Sequence, residues 1–215
     1  MLKKLLLTTL LFASASQAAI QEILPRLTAA DLNIQTQARL DLLAACSTAG
    51  RPGAEAERKA LCEDICAELN TGIAAPAAIA LAHALQRIGG EESIATLVPM
   101  LRSSDPHLRD AVRKALAVNP APDAGKALLA ELKTANDPRW TAGLIMALGE
   151  RGDAKAEKSI TPHLKSNDPD IFAAAAKALS IIGTKGSIKA LAKQRSQETG
   201  KREATLTAAL FETNL

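Results

Sequence analysis

Three cysteines carry the side chains best suited to chemistry in this sequence: Cys46, Cys62 and Cys66. Cys62 and Cys66 are four residues apart, so an α-helix would bring both thiols to one face. Two thiolates on one face can bind a metal such as copper or zinc, and Cys46 offers a partner for a disulfide. Buried cysteine also serves as a small apolar residue, and no cluster of histidines accompanies the pair. We interpret the three cysteines as residues of the packed core and therefore predict no metal and no cofactor. A disulfide and a metal site are the alternatives.

The sequence contains no recognisable catalytic motif. His83, His107 and His163 are far apart and have none of the spacings of a metal site. There is no nucleophile elbow, no HExxH sequence, no phosphate-binding loop and no CxxCH sequence. We therefore predict no catalytic residues and no enzymatic activity.

Basic residues recur at an interval of 31 or 32 positions in two series, one at Lys126, Lys158 and Lys189 and the other at Arg102, Lys133 and Lys165. Lys193 adds to the same face in the last repeat. Lys126 and Lys133 are seven residues apart, so they lie on the same face of a helix. A charged series of this kind would attract an acidic protein partner. It is also typical of a solvated surface, because lysines near the end of a helix suit the helix dipole. The candidate partner-binding residues are Arg102, Lys126, Lys133, Lys158, Lys165, Lys189 and Lys193.

Composition restricts the fold that positions these residues. The chain has 215 residues, of which 47% are apolar but only 2% aromatic, and it contains no tyrosine. Strands of sandwiches and barrels favour aromatic and β-branched residues, so this composition indicates helices. Binding sites for nucleic acid bases use aromatic rings for stacking, and we therefore predict no nucleic-acid partner.

The N-terminal residues have the pattern of an export signal. Lys3 and Lys4 precede an apolar run from residue 5 to residue 12, and small residues follow up to Ala18. The apolar run is too short to span a bilayer about 30 Å thick. We predict a signal peptide over residues 1–18 with cleavage after Ala18, no membrane span in the mature chain, and a periplasmic or extracellular location.

A repeat of about 31 residues runs through the chain. Asp-Pro pairs at Asp105, Asp137 and Asp168 are separated by 32 and 31 residues. Aspartate caps the start of a helix and proline suits its first position, so each pair predicts a helix start. The repeat containing Asp105 is predicted to form helices over 106–118 and 123–134. Ala-Leu pairs keep the same phase and begin at residues 84, 115, 147, 178 and 209.

Helix pairs of this kind must stack on one another to bury their apolar faces. The stretch Ser104-Asp105-Pro106-His107-Leu108-Arg109, followed by Ala115-Leu116, resembles HEAT-repeat proteins, especially the short bacterial repeats also found in phycobilisome lyase subunits. The resemblance covers residues 71–213. It implies an all-α fold, a right-handed α-solenoid of stacked antiparallel helix pairs, in which the second helix of each pair lines the concave face.

Three segments follow from these observations. Residues 1–18 form the signal peptide, residues 19–70 an atypical N-terminal cap with helices over 33–46 and 54–69, and residues 71–215 the solenoid. We predict a noncatalytic exported scaffold that binds an acidic protein through its concave face. The alternatives are an accessory subunit of a lyase or redox enzyme, and a solenoid module of a larger secreted enzyme.

Overall fold

The computed structural model describes residues 16–213. Every regular element formed by these residues is helical, which confirms the predicted all-α solenoid class. Most of the predicted signal peptide, residues 1–15, lies outside the described residues. Ala18, the predicted cleavage site, lies in a helix that the structure describes from residue 16 to residue 27.

The described chain forms two compact units. The first contains residues 16–115 and 119–121, and the second contains residues 116–118 and 122–213. The predicted boundary between residues 70 and 71 lies inside the first unit. That boundary stays a prediction about where the regular repeats begin.

The first unit begins with α1 over residues 16–27. A 3-10 helix, Glu91–Ser93, precedes α5, and the last three residues of α6 group with the second unit. Both predicted helices are present: the one over 33–46 is longer than expected, and the one over 54–69 is shifted by one residue at the same length. The remaining helices of this unit are α2 (Leu32–Ala49), α3 (Glu55–Asn70), α4 (Ala75–Ile88), α5 (Ile94–Met100) and α6 (Pro106–Val118).

Over residues 122–213 the second unit contains six α-helices. Of these, α9 is short and is flanked by 3-10 helices at Ala154–Ala156 and Thr161–Lys165. Pro162 lies in the second of these, where its ring is incompatible with a continuing α-helix. The helices are α7 (Pro122–Thr134), α8 (Pro138–Glu150), α9 (Glu157–Ile160), α10 (Pro169–Ile182), α11 (Lys185–Arg195) and α12 (Gly200–Glu212).

The Asp-Pro pairs start helices as predicted. The carboxylate of Asp105 accepts hydrogen bonds from the backbone N–H groups of residues 107 and 108, at 2.8 and 3.1 Å. Asp137 accepts one from Trp140 at 2.7 Å, and Asp168 caps α10 in the same way at 2.9 and 3.0 Å. These bonds satisfy donors that have no partner within the helix.

Close packing of α8 on α10 forms the centre of the second unit. Leu144, Leu148 and Leu179 are fully buried there. Gly149 allows the closest approach, because a Cβ at this position would be 2.6 Å from the Cα of Ala178. Within residues 16–213, none of the helices combines the length and the apolar character that crossing a bilayer requires.

Candidate functional site

Most basic residues of the second unit lie on one layer of helices. We define the second-helix surface as the exposed side chains of residues 122–134, 154–165 and 185–195, the second segments of the three repeats. All of its basic side chains are exposed to solvent. They are Lys126, Lys133, Lys155, Lys158, Lys165, Lys185, Lys189, Lys193 and Arg195.

Acidic residues in these segments are few and already have partners within the chain. Asp123 pairs with Lys126 at 2.7 Å, and this contact raises the pKa of the lysine. The carboxylate of Glu131 accepts a hydrogen bond from the indole Nε1 of Trp140 at 3.4 Å. Glu157 accepts hydrogen bonds from the side chains of Thr184 and Ser187.

The first helices of the same unit have a different charge balance. α8, α10 and α12 carry four basic residues and four acidic ones, whereas the second segments carry nine and three. The excess of positive charge is therefore confined to one of the two helix layers. The first-helix residues are Arg139, Lys177, Lys201 and Arg202 against Glu150, Asp170, Glu203 and Glu212.

Helical geometry explains why the lysines of α11 share one side. Leu191 and Ser187 are buried, so they mark the face that packs on the rest of the unit. Lys189 is two residues from each of them, about 200° around a helix with 3.6 residues per turn. Lys185 and Lys193 are one turn before and after Lys189, so the three ammonium groups follow a single exposed line.

Glu157 joins α9 to the start of α11. Its carboxylate accepts hydrogen bonds from the hydroxyl groups of Thr184 and Ser187, and these two hydroxyls also hydrogen-bond each other at 3.1 Å. Gly186 leaves room for this contact, since a Cβ there would collide with the carboxylate. A negative charge at this place also suits the N-terminus of α11. The contact holds the second segments of two successive repeats together.

Arg202 fixes the end of the 3-10 helix that carries Lys165. Its guanidinium donates to the backbone carbonyl oxygens of Ser166 at 2.9 Å and Leu164 at 3.2 Å. It also lies over the ring of Phe172, 3.8 Å from the ring centroid. The exposed side chain of Lys165 therefore projects from a backbone segment that is tied to α12.

The structure brings together six of the seven predicted partner-binding residues on the second-helix surface. Arg102 is exposed but belongs to the first unit, where it follows α5. Lys155, Lys185 and Arg195 belong to the surface and were missed, because they do not recur at the 31-residue interval. Their position in the second segments, on the solvent side, is the signal that would have found them.

Residues 125–210 match the family model of HEAT repeats. The match supports a HEAT-repeat family, as predicted, and the phycobilisome-lyase type stays a prediction. Two crystal structures of engineered proteins are similar to the chain. One has 21% sequence identity to the chain and a TM-score of 0.48, and the match covers 91% of this chain and 96% of the engineered protein. The other is 22% identical, covers 90% and 98%, and has the same TM-score. No curated protein matches the chain.

The HEAT-repeat segment contains every basic residue of the second-helix surface, from Lys126 to Arg195. It contains none of the three cysteines, which lie in the first unit. The molecule thus has two separate groups of residues to consider, a charged surface in the HEAT-repeat segment and thiols outside it.

All three cysteines are buried as free thiols. Burial raises the pKa of Cys46 to about 11. Cys62 and Cys66 hydrogen-bond each other on α3, and this bond raises the pKa of Cys62 and lowers that of Cys66. The predicted core packing agrees with their burial, while the disulfide from Cys46 stays a prediction.

Other polar groups surround the cysteine pair. Glu92 accepts a hydrogen bond from the guanidinium of Arg58 at 2.5 Å. The Thr96 hydroxyl oxygen accepts one from the amide of Asn70 at 3.2 Å. Among residues 16–213, no three histidine, cysteine or acidic side chains are grouped so as to hold a metal ion.

Proposed function

We propose that the chain is an exported, noncatalytic scaffold that binds an acidic protein through the second-helix surface. The observation that carries the proposal is the charge difference between the two helix layers of the second unit. Nine exposed basic residues lie on one layer, and the three acidic residues beside them are engaged within the chain. The other layer has four residues of each sign.

The HEAT-repeat match supports a binding role, since stacked helical repeats offer extended surfaces for partners. In the HEAT architecture the second helices line the concave face, and we place the second-helix surface there. Lysine and arginine side chains on such a surface would steer an acidic partner to it and speed association. The family also favours a scaffold over an enzyme.

Charge reversal on each layer tests the binding surface. Lys158→Glu with Lys189→Glu reverses two charges on the second-helix surface. Arg139→Glu with Lys201→Glu reverses two exposed charges on the first helices of the same unit and changes the net charge equally. Each protein, checked for folding by circular dichroism, is used as crosslinking bait in a native envelope extract.

We expect the wild-type chain and the first-helix variant to capture the same acidic protein. The second-helix variant should lose it, because reversed charges repel an acidic surface. Equal capture by both variants would contradict the proposed surface, and loss with both would reduce it to an effect of net charge.

Export rests on the sequence pattern of residues 1–18 and needs its own experiment. We propose that the signal is removed after Ala18 and that the mature chain lies in the periplasm or outside the cell. A C-terminally tagged full chain should appear in the exported fraction with Ala19 as its first residue by N-terminal sequencing. Recovery in the cytoplasmic fraction with residues 1–18 intact would contradict export.

A further inference from the structure

A cavity of about 290 Å³ lies between α2 and α4 of the first unit. Its floor consists of side chains that are buried, Leu42, Ala80 and Ala84. Beside this floor the Cys46 thiol donates to the backbone carbonyl of Ala84 at 4.0 Å, so the two helices are in contact there. The walls are also apolar but reach solvent, and they are formed by Leu43, Pro76 and Ile79.

Apolar side chains continue along α2 past the cavity. Leu32, Leu40 and Leu43 are 72%, 52% and 40% exposed. Their spacing places them within about 80° of one another around a helix with 3.6 residues per turn, over a length of about 16 Å. Exposed apolar surface of this kind marks a site of interaction. We call the cavity and this line of leucines the α2–α4 groove.

Basic side chains border the α2–α4 groove. Arg39 and His83 line the cavity with exposed side chains, and Arg87 lies one turn after His83 on α4. α4 has no acidic residue, and the carboxylate of Asp41 on α2 is paired with Arg26 at 2.7 Å. The border of the groove therefore favours a partner that brings carboxylates.

The dimensions favour a helix over a compact ligand. Sites for small molecules usually enclose about 300–1,000 Å³, so this cavity is at their lower limit and suits the aliphatic side chains of a peptide. Helices bind in grooves through apolar residues three, four and seven positions apart, which matches an elongated line of leucines. We propose that the α2–α4 groove binds an amphipathic helix of another protein, with aliphatic residues on one face and acidic residues beside them.

Charge also decides between this occupant and the alternatives. A second copy of the chain, bound through the same groove, would bring Arg39 and Arg87 against their own counterparts. Residues 1–15 are largely apolar but carry Lys3 and Lys4 and no acidic residue. Both alternatives would place like charges together, which costs free energy. The groove lies in the first unit, so this proposal does not depend on the binding role proposed for the second-helix surface.

Two labelled helical peptides test the groove by fluorescence anisotropy with the full-length chain at physiological ionic strength. One has leucine on one face with glutamate beside it, and its twin has lysine in place of every glutamate. We expect the glutamate peptide to bind about tenfold more tightly than its twin, since the basic border of the groove selects the partner.

Variants of the chain locate the bound peptide. Leu43→Gln removes part of the apolar wall and Arg39→Glu reverses a border charge, and each should weaken binding of the glutamate peptide by about tenfold, as for residues at the centre of an interface. Phe211→Gln, which changes an apolar side chain of α12 with 72% exposure, is the matched control for the first. Lys158→Glu with Lys189→Glu is the control for attraction to the second-helix surface. Both controls should bind like the wild type.

Equal binding of the two peptides, including no binding of either, would overturn the proposal. So would unchanged binding in Leu43→Gln and Arg39→Glu, or an equal loss in either control. Sedimentation tests the second copy, and a dimer that Leu43→Gln dissociates would also contradict the proposal. Folding is checked by circular dichroism. Should Leu43→Gln fail to fold, Arg39→Glu decides, because Arg39 is exposed and its change leaves the apolar lining intact.

Discussion

A half-buried carboxylate in the first unit is expected to respond to acid. Glu92 lies on the 3-10 helix that precedes α5, with 13% of its side chain exposed, and Arg58 of α3 is its ion-pair partner. Burial alone would raise the pKa of Glu92, but the hydrogen bonds, led by that from Arg58, lower it below the usual 4.5. A carboxyl with a lowered pKa in the folded state stabilises the fold above its unfolded pKa, and this stabilisation is lost as the pH falls through the folded value.

Glu92→Gln should remove this contribution. We expect the variant to be about 1–3 kcal/mol less stable than the wild type at pH 7, because the guanidinium of Arg58 loses a charged partner. The difference should shrink as the pH falls from 4.5, where the carboxyl of the unfolded chain takes up its proton, through the lower pKa of the folded wild type. Urea denaturation at pH 7, 5 and 3 measures both effects. Glu91→Gln, an exposed neighbour on the same 3-10 helix, is the control, and a matching loss there would contradict the role of Glu92.

At the scale of elements, helix starts in the second unit differ in one respect that can be measured. Asp168 caps α10 with two side-chain hydrogen bonds, whereas Thr199 precedes α12 without a side-chain cap. Asp168→Ala should therefore cost about 1 kcal/mol of unfolding free energy, within a usual range of about 0.5–2. Thr199→Ala should cost close to nothing. Urea midpoints at unchanged slope check both values, and similar losses would mean that capping does not explain the difference.

The contact between α8 and α10 gives a second prediction for elements. Gly149→Ala would place a Cβ 2.6 Å from the Cα of Ala178, a backbone atom that cannot swing away. Overpacking of this kind costs about 1–3 kcal/mol, offset by up to about 1 from the higher helix propensity of alanine. Gly125→Ala gains the same propensity and meets only side-chain atoms, of Arg151 at 3.1 Å and of Asp153 at 3.6 Å. Thermal unfolding should show Gly149→Ala as the less stable variant, and the reverse order would contradict the close approach.

Local sequence rules predicted the elements better than the site. The helix over 106–118 was predicted at its observed bounds, because an Asp-Pro pair starts it and Pro120 follows its end. Pro162 is incompatible with a continuing α-helix, but the spread of the distortion over a five-residue 3-10 helix depends on packing that no local pattern contains. Thr184 and Ser187 hydrogen-bond the carboxylate of Glu157, which is about thirty positions away in the sequence. No local pattern predicts this contact, so only the structure shows that the negative charge beside the lysines already has partners.

At the scale of the whole molecule, the numbers of basic and acidic residues are nearly equal, but the two signs are distributed unevenly among the segments. The chain has 26 basic and 23 acidic residues, yet residues 122–134, 154–165 and 185–195 hold nine basic residues and three acidic ones. Net charge therefore predicts little about binding here. The arrangement of charge predicts more, because exposed charges interact mainly within a Debye length, about 8 Å at physiological ionic strength.

On the proposed function, the rate at which the acidic partner associates with the chain should therefore depend on salt concentration. For the wild type we expect the rate to fall steeply as salt rises from low to physiological concentration, while the dissociation rate changes little. The variant with Lys158→Glu and Lys189→Glu should associate more slowly at low salt and show a flatter salt dependence. Arg139→Glu with Lys201→Glu should keep most of the wild-type slope, since its changes lie on the other helix layer.

Stopped-flow or surface-based kinetics over this salt range measures the slopes. Equal slopes for the two variants would mean that partners respond to net charge alone, and the second-helix surface would then have no special part in their capture.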